Sequence, residues 1–274
     1  AIGVDKADGD LSRYVQAGRV ITEHRPDVVI HLAAQVGRQF NEDKPDRAIL
    51  HNVVAALNVA RWCRFHGAAM VHFSTSEVYG STDELLDEDA PLTATPTGIY
   101  ALSKRWSEDV VREYGPEDLK IVRPSMPYGD SAPVGRGRRA MDNMLWQAHH
   151  RMPITVHRGA ERSWCHVRDF TRAVRLIVEK GEPGAYNVGR DDDARSMHEI
   201  ARRSCVIAKA PYTLIDEVDP PAKQTVVKRL STAKLRALGW EPEVRLSDGM
   251  AELYEWVKNF GPDGQWITER KAAA

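Results

Sequence analysis

Cysteine is scarce in this sequence of 274 residues, and its three copies, Cys63, Cys165 and Cys205, lie far apart. An odd number of widely spaced thiols argues against a disulfide framework or a cysteine-based zinc site and is typical of a reducing compartment. The ten histidines show no metal-ligand spacing either. We therefore expect a cytoplasmic protein that binds no metal.

Long apolar runs and an excess of one charge are also missing. No apolar stretch approaches the ~20 residues of a membrane-spanning helix, and no signal-peptide pattern is present. With 38 basic and 39 acidic residues, the formal net charge is −1. This balance gives no reason to expect nucleic acid or a membrane as a partner. The chain is long enough to bury the core of one or two lobes.

Apolar runs of strand length alternate with amphipathic helical patterns along the chain. The continuous run at 28–34 predicts a strand covered on both faces, as in a parallel sheet. Further strands are predicted at 69–73, 119–123, 153–157 and 185–189. Helices are predicted at 11–24, 46–66, 100–114, 141–151, 169–180, 231–238 and 247–260, and from Ser196, where Glu199 completes a capping box. This rhythm predicts a doubly wound α/β fold.

The chain begins with Ala1 in the middle of such a pattern. Residues 2–5 read as the end of a buried strand that closes on the carboxylate of Asp5. We expect that further residues, not included in this sequence, precede Ala1. In a dinucleotide-binding fold, an acid that ends the second strand holds the adenosine ribose hydroxyls. Asp5 is thus a candidate cofactor residue, the alternative being a solvated loop aspartate.

The stretch from Phe73 to Lys104 carries the candidate chemistry. Tyr100 and Lys104 are four residues apart, which places them on one face of a helix. A free tyrosine has a pKa near 10, and a neighbouring ammonium favours the phenolate. We therefore expect Lys104 to lower the pKa of Tyr100, so that Tyr100 takes a proton from an alcohol. Thr75, in the hydroxyl cluster that ends the strand 69–73, would orient that alcohol.

The four-residue spacing alone is weak evidence, because Tyr254 and Lys258 repeat it near the C-terminus. No hydroxyl-rich strand end shortly precedes that second pair, and we interpret it as a core tyrosine with a surface lysine. Without Tyr100 and Lys104, the cluster at 74–76 would be interpreted as ordinary turn residues. The context of the first pair therefore carries the prediction.

Several short motifs occur in a specific order over almost the whole chain. They are 26–34 (PDVVIHLAA), Asn52, 74–80 (STSEVYG), Tyr100 with Lys104, Arg123 with Pro124, Tyr128 with Gly129, 162–164 (RSW), 186–189 (YNVG) and 238–240 (LGW) with Pro242. In this order the chain resembles an extended short-chain dehydrogenase/reductase of the NAD-dependent epimerase/dehydratase family, whose members act on nucleotide sugars. The resemblance implies a Rossmann-type parallel sheet with a smaller C-terminal α/β lobe for the substrate.

The resemblance implies a role for individual residues. The catalytic residues would be Thr75, Tyr100 and Lys104. The NAD-binding residues would be Asp5, Asp10, Leu11, Leu32, Ala33, Ala34, Asn52, Ser74, Tyr100, Lys104 and Pro124. The residues that bind the nucleotide sugar would be Thr75, Ser76, Glu77, Arg136, Arg138, Asn143 and Arg162. Asp5 favours NAD over NADP, since a carboxylate repels a 2′-phosphate.

The resemblance also implies a domain division and an assembly. The dinucleotide-binding domain would comprise 1–125 and 163–190, and the substrate lobe 126–162 and 191–274. A homodimer would form through the helices near 46–66 and 100–114. The basic run at 135–139, which includes Arg136 and Arg138, is either a loop that closes over the substrate diphosphate or a solvated loop.

Three departures from the family pattern stand out. A first βα unit, whose glycine-rich turn cradles the cofactor pyrophosphate, is missing before Ala1. Met126 follows Ser125 where the family has an asparagine before the Tyr-Gly pair. The Arg-Pro-Gly-Asp-like segment near the C-terminus is absent, and we consider Gln224, Lys228 or Arg229 as substitutes.

The residues after Thr75 discriminate among the reactions of the family. A 4,6-dehydratase has Asp-Glu after the catalytic Thr, whereas this chain has Ser76 and Glu77, so the acid that expels water is missing. Thr-Ser-Glu resembles UDP-glucuronate decarboxylases, in which Arg162 would assist. Epimerisation needs no group beyond the redox set, and we favour it. A non-catalytic dinucleotide sensor on the same fold is the alternative from another class.

Overall fold

The computed structural model describes residues 1–92, 98–129, 134–135, 139–221 and 226–267. The helices within these ranges are α1 (Tyr14–His24), α2 (Arg38–Asp43), α3 (Pro45–Ala48), α4 (Ala55–His66), α5 (Ile99–Tyr114), α6 (Ala140–His149), α7 (Val167–Lys180), α8 (Met197–Ile207), α9 (Ala233–Ala237) and α10 (Leu246–Val257). The strands are β1 (Val28–His31), β2 (Ala69–Phe73), β3 (Leu85–Leu86), β4 (Leu119–Pro124), β5 (Met126–Tyr128), β6 (Ile154–His157), β7 (Glu161–His166), β8 (Gly184–Val188), β9 (Ala194–Ser196), β10 (Ile215–Val218) and β11 (Val227–Leu230).

The main sheet is parallel and has the order β1-β2-β4-β8. Successive residues of a strand point to opposite faces. Met70 of β2 accordingly packs in a core with α1, α4 and α5, whereas Val71 packs in a second core with α7 and Tyr186. Because helices cover both faces, the residues of β2 and β4 are mostly buried, including the polar His72 and Arg123. The predicted doubly wound α/β architecture is confirmed.

Two expectations for the N-terminal part are wrong. Strand β1 ends at His31 rather than at residue 34, and Val28 and Ile30 are exposed, because β1 lies at the edge of the sheet. Residues 2–5 are not the end of a buried strand, since Ile2 is exposed. Asp5 instead forms a local turn, in which its Oδ1 accepts a hydrogen bond from the Ala7 amide at 2.7 Å.

The helical segment predicted at 46–66 is present, but its middle is π-helical, at Ile49–Val54. The buried Asn52 lies in this stretch and makes polar contacts with the chain after β1 and with α5. A π-helical turn widens the helix locally and often marks a functional site. The turn therefore brings an amide side chain into the region between β1 and α5.

Two further sheets are formed mainly by strands from the C-terminal half of the chain. One has the order β3-β11-β7-β5 with β9 beside β7, and the other pairs β10 with β6. A large core of residues from Tyr128 to Phe260 includes Trp164 and residues of α6, α8 and α10. Tyr254 packs against this core, while Lys258 pairs with Glu255 at 2.6 Å, as expected for the second tyrosine–lysine pair.

Several local sequence signals correspond to the structure. The Ser196 hydroxyl accepts a hydrogen bond from the Glu199 amide at 3.1 Å at the start of α8, as the capping box predicts. Strands β5, β7 and β11 were not predicted, since each is short and interrupted by polar or bulky residues. No helix in the described ranges is both apolar enough and long enough to span a lipid bilayer.

Candidate active site

A cavity of about 600 Å³ opens beside the carboxyl end of β1. Six of the residues predicted to bind the cofactor line it: Asp5, Asp10, Leu11, Leu32, Ala33 and Ala34. Because parallel strands end at one edge of a sheet, Leu32 after β1, Ser74 after β2 and Pro124 at the end of β4 all lie at this edge. The sequence analysis missed other lining residues, among them Lys6, Phe40, Arg47 and His51.

The lining of this cavity fits the adenosine half of a dinucleotide. The carboxylates of Asp5 and Asp10 are acceptors for ribose hydroxyls or the adenine amine. A hydrogen bond of 2.6 Å from the Ser12 hydroxyl holds the pKa of Asp10 below its ordinary value, so this acceptor stays ionised. Leu32 and Val20 supply apolar surface for a flat ring. The volume is in the range of small-molecule sites.

Tyr100 and Thr75 are brought together at the same edge of the sheet. Thr75 follows β2, Tyr100 lies in the first turn of α5, and the Thr75 hydroxyl is close enough to the phenol to affect its pKa. Burial raises the pKa of Tyr100 to about 12, while the Thr75 hydroxyl lowers it and the charge of Glu77 raises it further. The sequence analysis expected Lys104 to lower the pKa of Tyr100. The pKa is raised instead, because the effect of burying the phenol is larger than the effects of the neighbouring groups.

Lys104 lies one helical turn beyond Tyr100, and its side chain is buried. Burial lowers the pKa of Lys104 to about 8, although the nearby Glu108 favours its charged form. Arg123 binds Glu108 through two hydrogen bonds, of 3.0 and 2.8 Å. The pKa of Glu108 is lowered, because the contacts with Arg123 outweigh the effect of burial. Glu108 is thus a fixed negative charge near Lys104.

Two buried histidines beside Lys104 were missed by the sequence analysis. His31 and His72 are register partners on β1 and β2, with ring centroids 5.6 Å apart. Burial lowers the pKa of His31 to about 3, with a further contribution from Lys104, and it lowers that of His72 as well. His72 Nε2 lies 2.8 Å from the Ser107 hydroxyl. The signal was present, since two neighbouring parallel strands each end in or near a histidine.

Glu77 is the centre of a second group of charges. It lies in the 3₁₀ turn Ser76–Tyr79 and forms an ion pair with Lys228 of β11. Lys228 pairs in register with Arg162 of β7, and Glu77 acts electrostatically on Arg162. Lys228 is one of the three substitutes considered for the missing segment. Of the others, Arg229 instead binds Glu161 at 2.7 Å, and Gln224 lies outside the described residues.

The remaining predicted cofactor residues have packing contacts. The Asn52 side chain accepts a hydrogen bond from the Gln35 amide at 2.7 Å and donates one to the Ser103 hydroxyl at 2.9 Å. The buried Ser74 hydroxyl contributes to the low pKa of Glu108. Asn52 thus links the segment after β1 to α5, whereas the buried Ser74 hydroxyl has no hydrogen-bond partner among the described residues.

Predicted substrate residues are distributed around this region. Ser76 is buried at the start of the 3₁₀ turn, and Arg162 donates to the Val226 carbonyl at 2.6 Å. Asn143 of α6 holds the backbone of Gly135 through two hydrogen bonds of 2.8 Å. Arg136 and Arg138 lie outside the described residues. Glu77 and Arg162 share one charge cluster, while Asn143 fixes the loop near 135.

A doubly wound parallel sheet with a nucleotide-sized cavity and a Thr–Tyr pair at its carboxyl edge defines a dinucleotide-binding α/β protein. The sequence profile of the NAD dependent epimerase/dehydratase family matches residues 3–189. The chain therefore belongs to that family. The cofactor expected from the sequence, NAD, is that of the family.

Three curated proteins illustrate the range of activities among its relatives. A trifunctional UDP-glucose 4,6-dehydratase, 3,5-epimerase and reductase of Arabidopsis thaliana is 28% identical over 92% of this chain, which spans 38% of that protein. UDP-glucuronic acid decarboxylase 6 of the same plant is 28% identical over 84% of this chain and 69% of its own length. The dTDP-glucose 4,6-dehydratase of Neisseria meningitidis is 27% identical over 90% of this chain and 77% of its own length.

Two solved structures share the fold. The UDP-glucose 4-epimerase of Thermus thermophilus, solved with NAD, has a TM-score of 0.82 at 24% identity, over 93% of this chain and 86% of that one. The dTDP-glucose 4,6-dehydratase of Streptomyces venezuelae, also solved with NAD, has a TM-score of 0.81 at 23% identity, over 91% and 78%. These likenesses support the Rossmann-type architecture.

Proposed function

We propose that this protein is an NAD-dependent nucleotide-sugar epimerase that works through a transient 4-keto sugar. The observation that carries the proposal is the placement of Thr75 after β2 beside Tyr100 in the first turn of α5, at the carboxyl edge of the sheet. NAD, when bound, takes up and returns the hydrogen of the sugar carbon as hydride. Asp5 and Asp10 would hold its adenosine half.

The protein's own residues handle the proton. The alcohol of the sugar would bind between the Thr75 hydroxyl and the Tyr100 phenol, so that Tyr100 accepts the alcohol proton. The raised pKa of Tyr100 means that the phenolate must be favoured within the assembled site, where Lys104 contributes positive charge. Thr75 stabilises the phenolate through its hydrogen bond.

The residue directly after Thr75 is Ser76. Epimerisation requires no acidic residue at this position. A serine hydroxyl is a poor acid, which disfavours the expulsion of water by a 4,6-dehydratase. A sugar with a keto group at C4 can turn over and accept its hydrogen on the other face. The product would then have the mass of the substrate.

Decarboxylation of a UDP-hexuronate is the second candidate. It is favoured by Glu77, which lies among two buried cations, Lys228 and Arg162. Cations of this kind are suited to bind a substrate carboxylate. The same keto intermediate would then release carbon dioxide.

A lobe division at 125–126 and 162–163, a cytoplasmic location and a homodimer remain predictions. Support for the dimer comes from exposed apolar side chains on the two helices named for it. Ile49 and Leu50 are about 40% exposed, and Trp106 of α5 is 40% exposed. A homodimer through these helices would cover them.

The test is turnover of UDP- and dTDP-hexoses and UDP-hexuronates, with mass spectrometry of the products. An unchanged mass with a new sugar supports epimerisation, and loss of carbon dioxide supports decarboxylation. Tyr100→Phe should lower kcat by ~10²–10⁴-fold. Tyr254→Phe is the matched control, because Tyr254 contacts His149 of α6 in the other core. Equal turnover by parent and Tyr100→Phe, or none by either, would contradict the proposed mechanism.

A further inference from the structure

Two cations lie side by side in the C-terminal sheet. Lys228 and Arg162 are register partners on the parallel strands β11 and β7. Both side chains are buried, with 1% and 7% of their surface exposed. Like charges on adjacent strands repel, and burial makes each charge costly unless an anion compensates it. This arrangement therefore calls for a carboxylate nearby.

Glu77 supplies that carboxylate from a distant part of the chain. The Oε1 atom of Glu77 accepts a hydrogen bond from the Lys228 ammonium. The charge of Glu77 also stabilises the charged form of Arg162. About a quarter of the Glu77 side chain remains exposed, so the carboxylate lies where the buried cluster meets the open site. Glu77 also acts electrostatically on Tyr100. The cluster is thus connected to the proton acceptor.

We propose that Lys228 is a positioning residue, whose ammonium fixes the place of Glu77 and compensates its charge beside Tyr100. This inference rests on the proposed function, in which Tyr100 accepts the proton of a sugar alcohol. Lys228 touches Glu77 rather than Tyr100, so it acts through the carboxylate. Lys228 and Thr75 thus both influence Tyr100, Lys228 through Glu77 and Thr75 directly.

The charges around Tyr100 determine the sign of the effect. Thr75 and Glu77 face it from the segment after β2, and Lys104 lies on its own helix. Lys228 and Arg162 face Glu77 from β11 and β7. Without Lys228, the negative charge of Glu77 is less compensated and Tyr100 ionises at higher pH. Without the charge of Glu77, Tyr100 ionises at lower pH, because that charge raises its pKa.

The experiment compares Lys228→Met, Lys228→Arg, Glu77→Gln and the double variant Glu77→Gln with Lys228→Met. Methionine keeps much of the apolar volume of the lysine stem, and arginine keeps its charge. The rising limb of kcat against pH reports the ionisation of Tyr100. We expect this limb to move up by ~1 pH unit in Lys228→Met and down by ~1 unit in Glu77→Gln. In the double variant and in Lys228→Arg, the rising limb should lie closer to the pH at which it lies in the parent.

Limbs that coincide in all variants, with circular dichroism showing folded proteins, would overturn the proposal. A loss of kcat without a shift of the limb would do the same, since a merely structural role predicts it. At neutral pH, Lys228→Met should turn over ~10-fold more slowly than the parent if the limb moves by one unit.

A second measurement separates this proposal from the proposed function. Absorbance of tyrosinate is titrated in the absence of substrate, and the curve of a matched Tyr100→Phe variant is subtracted from that of the parent and of Glu77→Gln. If the parent turns over no nucleotide sugar, the proposed function fails, yet this titration still decides the role of the charges. A lower midpoint for Tyr100 in Glu77→Gln, restored by adding Lys228→Met, supports the positioning role. Equal midpoints overturn it.

Discussion

The hydroxyl of Thr75 lies close enough to the phenol of Tyr100 to lower its pKa, although an acidic loop separates the two residues in the chain. The Thr75 oxygen also accepts a hydrogen bond from the Glu77 amide at 3.3 Å, which begins the 3₁₀ turn. One side chain thus supports both the turn that carries Glu77 and the residue proposed to accept the proton.

Replacing Thr75 tests its part in proton transfer. Thr75→Val keeps the shape but removes the hydroxyl, so kcat should fall by ~10–100-fold. The rising limb of its pH profile should move to higher pH, because the hydrogen bond from Thr75 lowers the pKa of Tyr100. Thr75→Ser keeps the hydroxyl and serves as the control. A Thr75→Val enzyme with the parent's kcat and pH profile would exclude this role.

Asp5 should determine the choice of cofactor. Its carboxylate lines the cavity and is placed to accept hydrogen bonds from the adenosine ribose. In Asp5→Asn we expect NAD to bind ~10-fold more weakly. The preference for NAD over NADP should also become smaller, because asparagine does not repel a 2′-phosphate. Calorimetric titration with both cofactors measures this. Glu23→Gln, an exposed carboxylate on α1, is the control, and equal NAD affinities for all three proteins would count against Asp5.

Asn52 should matter for stability before it matters for the cofactor. Asn52→Leu leaves the Gln35 amide without this acceptor and removes a donor from Ser103. We expect the free energy of unfolding in urea to fall by about 2–3 kcal/mol. Asn58→Leu, which removes a single hydrogen bond to the Leu11 carbonyl, should cost less. Unchanged stability together with weakened NAD binding would instead indicate direct contact of Asn52 with NAD.

Buried histidine should make the protein sensitive to acid. The pKa of His31 is lowered to about 3 by burial, whereas an unfolded histidine has a pKa near 6.5. Below pH 6.5 the unfolded state binds a proton that the folded state does not, so this contribution to stability is present above pH 6.5 and is lost as the pH falls. From pH 7 to pH 5, His31 alone should lower the free energy of unfolding by about 2 kcal/mol.

His31→Phe removes this titration and keeps a ring beside His72. Its free energy of unfolding should therefore decline less steeply between pH 7 and pH 5 than that of the parent, by about 2 kcal/mol. His66→Phe, at the exposed end of α4, is the matched control. Parallel declines for parent and His31→Phe would show that His31 does not account for the acid sensitivity.

Local patterns were sufficient for much of the fold. Mainly apolar runs of strand length predicted β2, β4 and β8 within one or two residues of their bounds. Helical periodicity predicted α5 and with it the shared face of Tyr100 and Lys104. The ordered motifs predicted the family, and six residues that the sequence predicts to bind the cofactor line one cavity.

Burial and long-range pairing were decided by the tertiary structure alone. The sequence shows that Lys104 lies near Tyr100 in the chain, but the depth at which both are buried sets their pKa values, so the direction for Tyr100 was predicted wrongly. Strand β1 ends at His31, three residues before the end of the apolar run that predicted it. Lys228 meets Glu77, 151 residues away in the chain, because β11 pairs with β3, the strand that follows Glu77. The pairing of Lys228 with Glu77 therefore depends on the tertiary structure. The candidate residues for proton transfer, Thr75, Tyr100 and Lys104, can be recognised from their order in the sequence.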